Sequence, residues 1–247
     1  MALTTFADWL ETPRGRYLLA WEQRQFDCLV ADIFGFHALQ IGLCSLDLLR
    51  ANRMSCRLHC GNALTEAGST LYAVADELPF ASQSVDLVVL PHVLEFAAHP
   101  HQILREVERI LVPEGHVLIA GFNPFSLWGV RRALAGNLGD LPWQGQYLSL
   151  RRLKDWLSLL GFESRSVAQG CFAPPVASEV WLRRWSFLDA MGERFWSVGG
   201  STYILQAVKR VQGMRLITPK WREAQRRQKA MAPVAQQTSG NPWKHPR

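Results

Sequence analysis

Apolar and polar positions along this chain follow two rhythms. Residues 84–90 read S-V-D-L-V-V-L, an almost continuous apolar run of the kind expected for a parallel strand covered on both faces. After Pro100 the rhythm changes. Ile103, Leu104, Val107, Ile110 and Leu111 recur at helical spacing, and Arg105, Glu106, Glu108 and Arg109 fill the opposite face. This predicts an amphipathic helix, which Pro113-Glu-Gly115 would end. Further strands are predicted over residues 37–42, 54–60, 71–75, 116–120, 166–168 and 203–208, and a second amphipathic helix over 150–160, stopped at Gly161. Near the start, Phe6, Trp9 and Leu10 and then Tyr17, Leu18, Leu19 and Trp21 are spaced for one apolar face. They predict a lead-in helix pair with Asp8 and Thr12 as cap or boundary residues.

Strands alternating with helices imply an α/β protein: a Rossmann-like, doubly wound, mostly parallel seven-stranded sheet with flanking helices. Three segments follow. Residues 1–36 form a helical lead-in. Residues 37–210 form the α/β domain, with a lid or insert drawn from 125–148 and 170–200. Residues 211–247 hold Pro219, Pro233, Pro242, Pro246 and a Gln/Ser/Gly stretch, and read as a disordered tail. The late cluster Trp181, Trp185 and Trp196 suggests a local aromatic cap.

Composition sharpens this picture. A chain of 247 residues with 48% hydrophobic content suits one large domain with extensions. The net charge of +6 is uneven: from Lys209 onward there are ten Lys/Arg against one acidic residue, Glu223. The body is mildly acidic, so the basicity belongs to the tail. Lys220, Arg222, Arg226, Arg227 and Lys229, with Arg131-Arg132 and Arg151-Arg152 beside them, are either a phosphate-contacting surface for nucleic acid or a solvated charge run. No run of about 18 apolar residues exists, so no membrane span is expected. The N-terminus carries Asp8 and no basic leader, and the five cysteines are irregularly spaced, so reduced thiols and a cytoplasmic location are expected. Cys56, His59 and Cys60 lack the second ligand pair a zinc site needs, so no metal is expected.

The chemistry lies in a linked series: Leu78-Pro-Phe80, the strand Ser84–Leu90, Pro91-His-Val-Leu-Glu95, the helix ending Arg109-Ile-Leu-Val-Pro-Glu-Gly115, and the strand at 116–120. This order and spacing resemble the second half of the cofactor-binding fold of small-molecule class I methyltransferases that use S-adenosylmethionine (SAM). The likeness covers roughly residues 37–170 and is strongest over 76–124. Phe122-Asn-Pro-Phe-Ser-Leu-Trp-Gly129 resembles an uncharacterised bacterial branch, type 11-like, within that superfamily. The resemblance implies a SAM-dependent methyltransferase acting on a small-molecule substrate. SAM would contact Gly42, Leu43 and Cys44 after the first strand, Asn62 after the second, Asp76, Glu77 and Leu78 after the third, and Leu90, Pro91 and His92 after the fourth. Ligands of open α/β sheets do sit beyond the carboxyl ends of the strands, and a glycine there lets the backbone approach closely.

The series departs from the family's pattern at three places. Where relatives carry G-x-G-x-G, this chain has Gly42-Leu-Cys-Ser-Leu46, so Cys44 and Leu46 are expected to narrow the site. Cys60-Gly-Asn62 offers an amide where relatives carry a ribose-binding carboxylate, and Val74 stands where an adenine-binding acid is usual, with Asp76 two residues on. These departures support an alternative: a catalytically degenerate binding or regulatory module of the same fold, or an RNA methyltransferase using the basic tail. His92 has two readings, a general base over the acceptor or a residue shaping the pocket. Asp76 is an adenine contact or a loop residue, Asp86 reads as structural, and Asn123-Pro124 as a loop lining the pocket.

Overall fold

The computed structural model describes residues 6–62, 67–135, 143–175, 178–185, 189, 192 and 199–210. The expected tail, 211–247, lies outside the described residues, as do parts of the expected lid.

The lead-in is two helices, α1 (Phe6–Leu10) and α2 (Pro13–Ala31). Thr12 joins them: its hydroxyl accepts the Gly15 amide at 3.2 Å and donates to the Trp9 carbonyl at 2.7 Å. This satisfies an amide that a helix start leaves without a partner. The turn is so tight that a Cβ on Gly15 would stand 2.4 Å from the Leu10 backbone.

Strands β1 (His37–Ile41), β2 (Cys56–Gly61), β3 (Leu71–Tyr72), β4 (Val85–Pro91), β5 (Leu111–Phe122), β6 (Phe162–Gly170) and β7 (Thr202–Lys209) form one seven-stranded sheet in the order β3-β2-β1-β4-β5-β7-β6. Pairings from β3 to β5 are parallel, and β7 runs antiparallel to both its neighbours. The expected fold class is therefore the observed one. Alternate strand residues serve different cores. Leu39, Val88, Leu90, Val117 and Ile119 pack with α4 (Pro100–Ile110) and α6 (Leu150–Leu159), whereas Ala38, Leu87, Val89, Leu118 and Ala120 pack with α1 and α2. A sheet covered on both faces explains why β4 reads as an unbroken apolar run.

The sequence pattern understates β5, β6 and β7. The strand after α4 begins at Leu111, before the proline, and the register with β4 slips between Val85 and Leu87 where Glu114 takes a left-handed φ of 63°. Edge strand β6 carries exposed Glu163, Arg165 and Ser166, so hydrophobicity marks only part of its length. Asp86 is structural, as expected: it accepts the amides of Phe36 at 2.8 Å and His37 at 2.9 Å.

The expected lid contains α5 (Leu127–Ala135) and α7 (Glu179–Arg184). Of the expected tryptophan cap, Trp181 is half exposed, and Trp196 lies outside the described residues. Among the described residues, an aromatic cluster draws on distant segments. Trp9, Phe122 and Trp128 meet with ring centroids 6.1 Å apart, and Tyr147 stacks on Phe122 at 5.0 Å.

Candidate functional site

A cleft of about 750 Å³ opens at the carboxyl ends of β1, β2 and β4. The chain leaves β1 through Gly42, whose φ of 77° belongs to the left-handed region, followed by Leu43 at 47°. Buried Gln40, on β1, holds this loop. Its side-chain amide donates to the carbonyls of Gly42 at 3.2 Å, Leu43 at 3.0 Å and Leu46 at 2.7 Å, and its carbonyl accepts the Leu48 amide at 3.0 Å. An amide both donates and accepts, so one side chain satisfies four backbone groups of an irregular turn.

Six of the expected contact residues line the cleft: Gly42, Leu43, Asn62, Asp76, Pro91 and His92. Four stand apart from it. Leu78, Leu90 and Cys44 are buried behind the wall, and Glu77 is exposed outside it. The expected narrowing is also corrected. The Cys44 side chain is buried, and Leu46 packs on the core beneath α2, so neither projects into the cleft. Val74, Ala75 and Asp76 follow β3 and form the rim opposite Gly42. The expected pocket residue Asn123 is buried and does not reach it: its amide group donates to Gly200 at 3.0 Å and its carbonyl accepts the Phe125 amide at 3.0 Å.

His92 takes a left-handed φ of 55° directly after β4 and is almost fully buried. Its Nε2 lies 2.8 Å from Glu22 of α2, and its Nδ1 2.8 Å from Glu95 in the short helix α3 (Val93–Phe96). Burial alone would push the imidazole towards neutrality. The two carboxylates override it and raise its pKa from 6.5 to about 10, which favours the imidazolium. Both glutamates have further partners: Thr202 donates to Glu22 at 2.8 Å, and the Phe122 amide donates to Glu95. With both ring nitrogens engaged, His92 has no lone pair for a proton on an acceptor. Of its two sequence readings, the geometry matches the residue that shapes the pocket.

Above this buried triad the cleft wall is apolar. Phe6, from α1, sits 5.1 Å from the His92 ring and 5.2 Å from Phe96. Gln40 and Glu22 were not singled out from sequence, and Phe6 was read only as part of a helix face. Two signals were available: a glutamine between Leu39 and Ile41 in a buried strand, and a glutamate on the apolar face of α2 beside Trp21.

Comparison with known proteins agrees with this geometry. Residues 41–119, which run from the end of β1 into β5, match the family model described as a methyltransferase domain. The uncharacterized protein YafS of Escherichia coli (strain K12) is 34% identical over 157 residues, 63% of this chain and 64% of that one. The chain thus spans less than two thirds of that relative's length. Among solved structures, a Thermotoga maritima protein described as a SAM-dependent methyltransferase, possible histamine N-methyltransferase, superposes with a TM-score of 0.60 at 17% identity, covering 78% of this chain and 89% of that chain. A SAM-dependent methyltransferase from Archaeoglobus fulgidus gives 0.55 at 17% identity, covering 78% and 94%. Residues 41–119 thus resemble a methyltransferase domain, and the chain shares the fold of these SAM-dependent methyltransferases.

Proposed function

We propose that the cleft holds SAM and that the protein transfers its methyl group to a small, largely apolar acceptor. The observation that carries this reading is the position of the cleft at the strand carboxyl ends, with the left-handed Gly42 turn on its rim. The residues present fit the group. The Gly42–Leu43 backbone is approachable because Cys44 and Leu46 turn away. Asn62 and Asp76 supply polar side chains at the ends of β2 and β3. A neutral amide at Asn62 makes weaker hydrogen bonds than a carboxylate would, which lowers affinity without removing the site.

Bound SAM supplies an electrophilic methyl on a sulfonium, so the protein's task is to position the acceptor and exclude water. Phe6, Val93 and Phe96 form the apolar wall that does this. His92 fixes the turn after β4 through its two carboxylates and leaves the acceptor's proton to the acceptor's own acidity or to solvent.

Calorimetric titration of the full chain with SAM and with S-adenosylhomocysteine tests the reading. Micromolar binding is expected, falling roughly tenfold or more in Gly42→Leu, where a side chain meets both an unfavourable φ and Val93. Absence of binding at millimolar ligand would overturn it. The amide at Asn62 and the engaged His92 favour a second reading, a module of this fold that binds without catalysis. Micromolar SAM binding with no methyl transfer to any of a panel of apolar phenols, amines and carboxylic acids would select that module.

A further inference from the structure

We propose that α5 and the turn before it dock on the surface of an anionic lipid bilayer. Leu127, Val130 and Leu134 recur at i, i+3 and i+7 on one face of α5 and are 50%, 54% and 84% exposed, with Phe125 ahead of them at 75%. The opposite face is anchored: Trp128 is fully buried, and its indole N–H donates to the Ala173 carbonyl at 2.9 Å. The apolar stripe is therefore not a helix out of place. It is the outer side of a helix held firmly by its inner side.

Charge identifies the occupant. No Asp or Glu occurs between Glu114 and Asp140, and exposed Arg131, one turn after Leu127, lies on the same side of the helix. Its guanidinium is steadied over an aromatic ring, 5.2 Å from the Trp143 centroid. Aliphatic residues that enter the acyl boundary, with an arginine at headgroup level, are the composition of an interfacial helix. Anionic headgroups complement Arg131 on a face without a carboxylate. A second copy of the chain docked on the same face would offer Arg131 no carboxylate from α5, and nucleic acid would leave the aliphatic stripe without a partner. Among the described residues no helix is long and apolar enough to cross a membrane, so the contact is peripheral.

This inference goes beyond methyl transfer and does not depend on it. The test is co-sedimentation of the full chain with vesicles of phosphatidylglycerol and phosphatidylcholine, against phosphatidylcholine alone, without SAM. Binding to the anionic vesicles is expected. It should fall roughly tenfold or more in the double variant Val130→Gln/Leu134→Gln, which removes apolar area and no charge. Both positions are exposed, and an unchanged circular dichroism spectrum and thermal midpoint will show that the variant folds. A second variant, Arg131→Gln, should weaken binding to anionic vesicles and leave binding to neutral ones unchanged. Equal affinity for both vesicle types overturns the proposal. So does vesicle binding that survives the double variant and is competed away by RNA, because the basic residues alone would then be responsible. Concentration-dependent dimers abolished by the double variant, with no vesicle binding, would assign the face to self-association instead.

Discussion

The two walls of the cleft are built in opposite ways. The wall formed by Gly42, Asn62 and Asp76 comes from short turns that each follow a strand, and backbone conformation does most of its work. The wall formed by Phe6, His92 and Phe96 is assembled from segments far apart in the chain, and a buried charge cluster holds it: Glu22 is 70 residues from His92 and 180 from Thr202. A backbone turn tolerates changes in the side chains around it. A charge cluster removed from water does not, because each member is stable only while the others are present. The first wall should therefore change affinity when altered, and the second should change stability.

The largest expected effect follows from this. His92→Leu leaves Glu22 and Glu95 facing each other without the imidazolium between them, and should cost about 3–5 kcal/mol in denaturant unfolding. Glu22→Gln/His92→Leu should cost less than the sum of the two single changes, because the second substitution removes part of the charge the first exposed. Simple additivity would show that the cluster is not a unit. The cluster also sets a pH dependence. The folded pKa of about 10 lies above the ordinary 6.5, so the stabilisation is fully present below 6.5 and is lost as pH rises through 10. Thermal midpoints should fall across that window in the native chain and fall less in His92→Gln. A midpoint flat from pH 6.5 to 10 would refute a charged His92.

On the opposite wall the corresponding probe is Gln40. Gln40→Glu keeps the shape but removes the donor that serves the carbonyls of Gly42, Leu43 and Leu46. A cost of about 1–3 kcal/mol is expected, with SAM binding weakened more than in His92→Gln. If the two variants lose affinity equally, the division between a turn wall and a charge wall fails.

The same division explains what could be read from the sequence. The parallel sheet, α4, the Gly42 turn and the Pro91–His92 junction are local patterns, and local patterns survive in linear order. Asp86 was legible too, because a lone acid in an apolar strand must satisfy something nearby. The role of His92 was not, since it depends on two glutamates that only folding brings to its ring. Cys44 and Leu46 misled for a related reason: the sequence shows that a loop has side chains, and only the peg at Gln40 shows which way they turn. The limits of β6 were obscured by its polar edge residues.

The smallest expected effect concerns how the distant wall is hung on the sheet. Thr12 caps α2, which carries Glu22, and joins it to α1, which carries Phe6. Thr12→Ala removes the cap but leaves the triad's contacts in place, so it should cost about 1 kcal/mol. Its effect should be confined to the wall it supports. Hydrogen exchange is expected to quicken in α1 and the first turn of α2, while β1 and the Gly42 turn stay as protected as before. SAM affinity should change less than twofold. Faster exchange in both walls would mean that the lead-in helices and the glycine turn form one cooperative unit, and the contrast between them would then be one of construction without consequence for stability.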